Sequence, residues 1–400
     1  MGYLDCSAAP FRGLSSYGVP SLFSSLPTPC YVIDEARLQA NGACLSGLAK
    51  RTGCKILLAQ KAFSNYNFYP MLSHYLAGTE ASGLYEARLG REEMGNREVH
   101  VFCGAYREEE FTELLNYADH IVFNSIHQLK KFGPLAKGKS LGLRINPECS
   151  TQEGHAIYDP CSPGSRLGVT REVWNREMTE DLLSLLDGLH FHTLCEQNSD
   201  DLAKTLEAVE TKFGDVLPRM KWLNMGGGHH ITRDDYDMPR LEQAISHVQT
   251  AWDLQVYLEP GEAVALNAGY LVSRVLDVVE NSRIHVAILD ASAACHMPDV
   301  LEMPYQPPVY QASKDSSQGL PFRLAGPTCL AGDIIGDYAF PAPLEEGDLL
   351  VFGDMAIYTT CKNNTFNGMP LPDIWRMDEH GVFTKLTDFG YQDFKMRLGK

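Results

Sequence analysis

Residues 222–228 read WLNMGGG and residues 256–261 read VYLEPG. Each is a short apolar run that ends on glycine or proline, the punctuation expected where a buried strand gives way to a loop. Six further runs of this kind precede them. They are Lys55–Gln60 (KILLAQ), Thr79–Gly83 (TEASG), Val99–Gly104 (VHVFCG), His120–Ser125 (HIVFNS), Leu141–Pro147 (LGLRINP) and Gly188–Leu194 (GLHFHTL). Most of the intervening segments read as helices. Over Asp200–Gly214, Leu202, Leu206, Val209 and Phe213 share one helical face, and Gly214 ends the helix. Over Glu108–Ala118, Phe111, Leu114 and Leu115 do the same. Eight strand–helix units predict an α/β fold, a (β/α)8 TIM barrel over residues 35–262. An open doubly wound sheet is the structural alternative, but no G-x-G-x-x-G follows the first run.

Beyond Gly261 the texture changes. Val264–Val279, His285–Asp290, Phe322–Leu324, Leu349–Phe352 and Val382–Leu386 are short strand-like pieces separated by proline and glycine. Helical periodicity fades, which predicts a β domain over residues 263–400. Residues 1–34 join it, with Cys30–Asp34 (CYVID) as a candidate strand.

The 400-residue length suits two domains. Hydrophobic residues at 44% and charged residues at 21% are globular values, which excludes a disordered or fibrous chain. No apolar run approaches the roughly 18 to 20 residues that cross a bilayer. The stretch Met1–Pro29 is broken by prolines and lacks the charged start of a secretory signal. The net charge of −17 repels nucleic acids and anionic membranes and tolerates a cationic small substrate. The 11 cysteines form no C-x-x-C pair and are odd in number, which argues against structural zinc or a disulfide framework. A cytoplasmic protein with reduced thiols is expected.

In a barrel the C-terminal strand ends build the active site. Lys61 follows the first run and Ser82 ends the second. Arg144 and Asn146 end the fifth, and His190 and His192 lie on the sixth. Gly226, Gly227 and Gly228 end the seventh, followed by His229 and His230, and Glu259 ends the eighth. Three chemistries compete for this set. A pyridoxal phosphate (PLP) site needs a lysine for a Schiff base, a carboxylate for the pyridine nitrogen and backbone N–H groups for the phosphate. Lys61, Glu259 and Gly226–Gly228 supply one of each. A metal hydrolase would use His190, His192, His229 or His230, but bridging carboxylates are missing. A purely structural reading makes Lys61 and Glu259 an ion pair and the glycines a plain turn.

The segments LLAQKAFS around Lys61, HFHTLCEQNSD (190–200), NMGGGHH (224–230), EPGEAVALNAGYLV (259–272), LDASAACHMPDVLEMPY (289–305) and GPTCLAGDIIGDY (326–338) resemble the carboxynorspermidine (carboxyspermidine) decarboxylases. These are fold-type III PLP enzymes related to diaminopimelate and ornithine decarboxylases. The resemblance covers about residues 27 to 375 and implies an alanine racemase-type barrel with a C-terminal β domain. It implies conversion of carboxynorspermidine to norspermidine and of carboxyspermidine to spermidine, with no metal.

The resemblance also implies roles. Lys61 should carry the cofactor and release product. His192 should stack on the cofactor ring, Gly226–Gly228 with Tyr358 should hold its phosphate, and Glu259 should pair with its pyridine nitrogen. Arg144 should lie behind the cofactor. Cys329 should protonate the α-carbon after decarboxylation, a role for which a thiol's labile proton is suited. Glu262, Glu302 and Asp333 are candidates for the substrate amines. The GPTC segment should come from a neighbouring subunit, which implies a homodimer with shared sites, and Arg166 could bridge to the partner's Asp333.

Two departures matter. Glu262 stands after EPG where the wider family commonly carries arginine, and Leu330 follows Cys329 where ornithine decarboxylases carry aspartate. A diaminopimelate decarboxylase is the nearest alternative, but it wants a cation for the distal carboxylate. A catalytically silent regulator binding a protein partner is a second alternative.

Overall fold

The computed structural model describes residues 9–12, 14, 19–152 and 158–399. The chain divides into two compact units. One spans residues 39–264, and the other joins the described residues up to Leu38 to those from Ala265 onward. Strand β1 (Cys30–Asp34) belongs to the second unit.

The first unit contains β2 (Lys55–Ala59), β3 (Gly78–Ala81), β4 (Glu98–Phe102), β5 (His120–Phe123), β6 (Ser140–Arg144), β7 (Gly188–His190), β8 (Trp222–Asn224) and β9 (Gln255–Leu258). Each pairs in parallel with the next, and β2 closes on β9 through Lys55↔Tyr257 and Ile56↔Leu258. This is a closed eight-stranded barrel. Its strands are buried almost throughout, so they read as continuous apolar runs and not as alternating ones.

Trp222 fills much of the barrel interior near the strand starts. A Cβ at Gly142 would lie 2.3 Å from its ring and one at Gly188 2.0 Å away. Glycine on β6 and β7 therefore makes the space that the indole takes. The indole Nε1 donates to Ser140 Oγ at 2.9 Å, so its polar edge is also satisfied.

The helix expected over residues 200–214 is Ser199–Phe213, and it buries Leu202, Leu206, Val209 and Phe213. The helix expected over residues 108–118 stops at Leu114, because Asn116 and Tyr117 turn back onto the carbonyls of Glu113 and Leu114. Among the described residues, no helix is long and apolar enough to cross a membrane.

The second unit is a mostly antiparallel sheet. Its further strands are β10 (Gly269–Asn281), β11 (Ile284–Leu289), β12 (Leu320–Ala325), β13 (Ile334–Phe340), β14 (Leu349–Gly353), β15 (Asp373–Met377) and β16 (Phe383–Thr387). The order is β13-β12-β11-β10-β1-β15-β16, with β14 also paired to β10. Strand β1 is antiparallel to β10 and parallel to β15. It is buried on both faces: Tyr31 and Leu271 pack into one core, and Cys30, Val32, Tyr270 and Val272 into another. That alternation is the period-2 side-chain rule of a strand covered on both sides.

Three sequence expectations need correction here. The run from Val264 does not begin as a strand, because Glu262–Ala265 forms a helical turn and β10 starts at Gly269. Strands β13 and β15 were not anticipated. Gly336 and Asp337 interrupt the apolar pattern of the first, and Asp373 and Arg376 that of the second.

Candidate active site

Register places Arg144, His190 and Asn224 side by side on β6, β7 and β8. Glu259, just past β9, reaches into this row. Its Oε1 accepts from Asn224 Nδ2 at 2.5 Å, and its Oε2 lies 3.1 Å from His190 Nε2. Glu259 is 4% exposed and His190 1%. Burial alone would raise the Glu259 carboxyl, but its interaction and hydrogen bond with His190, together with the Asn224 amide, outweigh it and hold the group below the usual carboxylate range. Burial lowers His190. The result is a buried carboxylate with oriented donors, the form that pairs with a protonated pyridine nitrogen.

The glycine turn is tied to the same carboxylate residue. Asn224 Oδ1 accepts from the Gly226 N–H at 2.9 Å, and the Glu259 N–H donates to the Gly226 carbonyl at 2.8 Å. Gly226 and Gly228 have φ of +71° and +79°, a backbone that L side chains rarely adopt. A Cβ at Gly226 would lie 2.4 Å from the Phe191 carbonyl, one at Gly227 2.3 Å from the Glu259 carbonyl, and one at Gly228 2.1 Å from the Leu194 carbonyl. The turn is thus wedged between the exits of β7 and β9, and only glycine fits. His192 packs over it, with Nδ1 accepting from the Gly227 N–H at 3.2 Å. Burial first, then the charges of Lys61 and Arg144, push the imidazole well below its usual value, so His192 is a neutral ring of fixed orientation.

Lys61 follows β2 and is half-buried. Its charge acts on Glu80, Glu86 and His192, which puts it in the same neighbourhood. Glu80, on β3, is 3% exposed and its Oε2 has no hydrogen-bond partner. Burial, followed by repulsion from Glu259, raises its pKa, so this acid is held protonated beside an ionised one. Arg144 donates through Nη2 to the His192 carbonyl at 3.0 Å and stacks 4.6 Å from the Phe102 ring. Burial lowers it to about 10. Asn224 and Glu80 are the members of this group that sequence reasoning missed. The available signal was position: both stand at or beside strand ends next to residues that were identified.

The two remaining histidines differ. His229 is 1% exposed, bonds through Nε2 to the Met225 carbonyl at 3.3 Å, and is pushed by burial to about 4. It is a neutral core residue. His230 lies 2.9 Å from Glu262 Oε2 through Nε2.

Four further sequence candidates, Cys329, Tyr358, Glu302 and Asp333, belong to the β domain. Cys329 is exposed in the loop between β12 and β13, and its N–H donates to Asn367 Oδ1 at 3.3 Å. Among the other cysteines, burial pushes the Cys30 thiol up to about 12 and those of Cys54 and Cys161 to about 11. Tyr358 is half-buried with φ of +48°, an uncommon backbone for an aromatic residue. Glu302 is exposed, and its Oε2 lies 2.6 Å from Lys362 Nζ.

Asp333 requires a correction. It is 2% exposed and its carboxylate accepts from three donors: Ser292 Oγ, shared between the two oxygens at 3.0 and 2.8 Å, the Ala294 N–H at 3.2 Å and Thr328 Oγ1 at 2.7 Å. Three donors from its own chain thus engage this buried carboxylate, and the amine-binding role expected of it, like a bridge to a partner's Arg166, has no support in this geometry. Asp333 instead anchors the loop that presents Cys329.

The glycine cradle, the buried ionised carboxylate and the lysine fit a PLP group. Residues 30–356 match the family model described as "Pyridoxal-dependent decarboxylase, C-terminal sheet domain". The chain is 42% identical to carboxyaminopropylagmatine decarboxylase of Synechocystis, over 96% of this chain and 100% of that one. It is 38% identical to carboxynorspermidine/carboxyspermidine decarboxylase of Campylobacter jejuni, over 94% and 99% of the two chains. The crystal structure of carboxynorspermidine decarboxylase from Campylobacter jejuni, complexed with norspermidine, superimposes with a TM-score of 0.86 over 93% of this chain and 100% of that one, at 38% identity. Between the chemistries that the strand ends left open, these matches decide: the chain belongs to the pyridoxal-dependent decarboxylases.

Proposed function

We propose that this enzyme decarboxylates carboxylated polyamines, converting carboxynorspermidine to norspermidine and carboxyspermidine to spermidine. The observation that carries this reading is near full-length similarity to decarboxylases of such substrates, in a chain whose barrel carries Lys61, the Gly226–Gly228 turn and Glu259. PLP, when bound, supplies an electron sink for the pair left by departing CO2. Lys61 would hold the cofactor, with the Gly226–Gly228 turn and Tyr358 as the donors for its phosphate and His192 and Arg144 as its neighbours in the barrel. Glu259, aimed by Asn224 and His190, would keep a proton on the ring nitrogen. Cys329 would supply the proton for the α-carbon.

Glu262 and Glu302 provide the negative charge that selects a long cation, which agrees with the net charge of −17. A diaminopimelate substrate would set a distal carboxylate against Glu262. We also propose a homodimer in which the loop carrying Cys329 serves a second copy's site. Its support is the exposure of Cys329 and of Leu330, 45% exposed, on a loop that Asp333 holds in shape. A cytoplasmic location accords with ten described cysteines that are all free thiols.

A second reading has its own support. The 42% identity to the Synechocystis enzyme favours carboxyaminopropylagmatine, whose far end carries a guanidinium. CO2 release on the PLP-loaded enzyme separates these readings, with carboxynorspermidine, carboxyspermidine, carboxyaminopropylagmatine, meso-diaminopimelate and ornithine as the panel. Turnover of either carboxylated triamine supports the first, and turnover of the agmatine derivative alone supports the second. Turnover of diaminopimelate alone overturns both.

A further inference from the structure

His230 is the second histidine of the GGGHH turn and takes no part in the Glu259 network. Its side chain is 9% exposed. Its Nε2 lies 2.9 Å from Glu262 Oε2, and its Nδ1 lies 3.4 Å from Arg233 Nη1. A guanidinium has only donors. Nδ1 therefore accepts from Arg233, the ring hydrogen sits on Nε2, and that hydrogen is donated to Glu262. Both ends of this contact are fixed by other bonds. The His230 N–H donates to the Gln197 carbonyl at 3.2 Å. Thr232 Oγ1 donates at 2.7 Å to the carbonyl of Ala263, the residue after Glu262. Arg233 is in turn paired with Asp235.

This arrangement has an electrostatic consequence. A lysine or arginine in place of His230 would orient Glu262 and cancel its charge. A neutral Nε2–H orients it and leaves the full negative charge for an incoming cation. Glu196 adds to the same negative corner, since one ligand atom each of Glu196, His230 and Glu262 lie within 4.8 Å of one another.

We propose that His230 is a positioning residue for substrate recognition. Arg233 holds it as the Nε2–H tautomer, and it fixes the Glu262 carboxylate at the barrel mouth for a remote ammonium group of the substrate. The inference rests on the reading of Glu262 as an amine-binding group.

The test is steady-state kinetics of the PLP-loaded enzyme on its best substrate from the panel above. Wild type, His230→Phe, Glu262→Gln and the double variant form a cycle. His230→Phe should raise KM about 10-fold with kcat within about twofold. On the Glu262→Gln background it should add less than about twofold. His230→Gln keeps an N–H donor at the right reach and should restore KM to within about threefold of wild type. If His230→Phe fails to load cofactor, His230→Asn, too short to reach Glu262, takes its place in the cycle. A raised KM in Glu262→Gln with an unmoved KM in the His230 variant overturns the positioning role alone. An unmoved KM in Glu262→Gln overturns the amine reading of Glu262, and the inference with it. A wild type that turns over no carboxylated polyamine overturns the proposed function itself.

Discussion

Glu259 and His190 lie 69 positions apart in the chain and 3.1 Å apart in the barrel, Oε2 to Nε2, both almost fully buried. A buried carboxylate is costly unless donors meet it. Here His190 meets one oxygen and Asn224 the other, so the charge persists, as the proposed pairing with a pyridine nitrogen requires. Replacing Glu259 with Gln keeps the shape and removes the charge. We expect the variant to retain the cofactor's visible absorbance while kcat falls about 100- to 1000-fold, the usual scale for one preorganised electrostatic contact. A stopped assay of CO2 release at saturating PLP checks this.

The proposed function gives Lys61 the covalent attachment. Lys61→Ala should abolish the visible absorbance of the loaded protein and lower kcat by at least about 1000-fold. Absorbance spectra taken after gel filtration decide the first point, and CO2 release the second.

The glycine turn makes a steric prediction. A Cβ at Gly227 would lie 2.3 Å from the Glu259 carbonyl oxygen, which is backbone and cannot swing aside. Gly227→Ala should cost about 1–3 kcal/mol of stability through overpacking. It should also weaken PLP retention, because the cradle and the Glu259 backbone move together. Thermal melts and a PLP titration followed by absorbance would show both effects, and an unchanged PLP affinity would count against the cradle.

Cys329→Ala should keep the cofactor and the chromophore yet lose correct product formation. Unchanged product yield, read by chromatography of the amines, would remove Cys329 from the mechanism. Asp333→Asn tests the revised role of that residue. Loosening the loop should lower kcat with little change in KM, whereas an amine-binding role would appear chiefly in KM.

At the strand starts, Glu98 accepts from Lys55 and lies 3.0 Å from His100 Nε2. Burial opposes the charge, but the hydrogen bonds to His100 and Lys55 win and hold the carboxyl at about 2, below its ordinary 4.5. A depressed folded-state value means that the unfolded chain binds the proton first. The stabilisation is therefore present above about pH 4.5 and is lost as pH falls toward 2. Glu98→Gln should cost about 1–2 kcal/mol at pH 7, after discounting for partial exposure, and the gap to wild type should narrow below about pH 4.5 and close as pH falls toward about 2. Urea titrations at several pH values measure this, and a gap that persists at low pH would assign the loss to packing.

The order of barrel strands was readable because each is a short buried run bounded by glycine, proline or polar residues, a signal that lies within a few neighbouring positions. The same locality made Lys61, Arg144, Gly226–Gly228 and Glu259 visible as residues at strand exits. Strands β13 and β15 were not readable, since Gly336, Asp337, Asp373 and Arg376 dilute the apolar pattern where pairing with β12, β1 and β16 supplies the missing stabilisation.

Partnership is the part that sequence alone left open. Nothing near Asp333 announces that Ser292, 41 positions away, will engage its carboxylate, and nothing near Glu80 announces that burial beside Glu259 will keep it protonated. The chain's local periodicity determined the architecture and which side chains stand at its active end. Only the closed barrel and the paired sheet decided which of those side chains meet, and hence which are charged, which are engaged within the chain and which remain available to a ligand. The physical reason is that hydrogen bonding and desolvation depend on distance in space, and distant positions in the chain are brought together only by the completed fold.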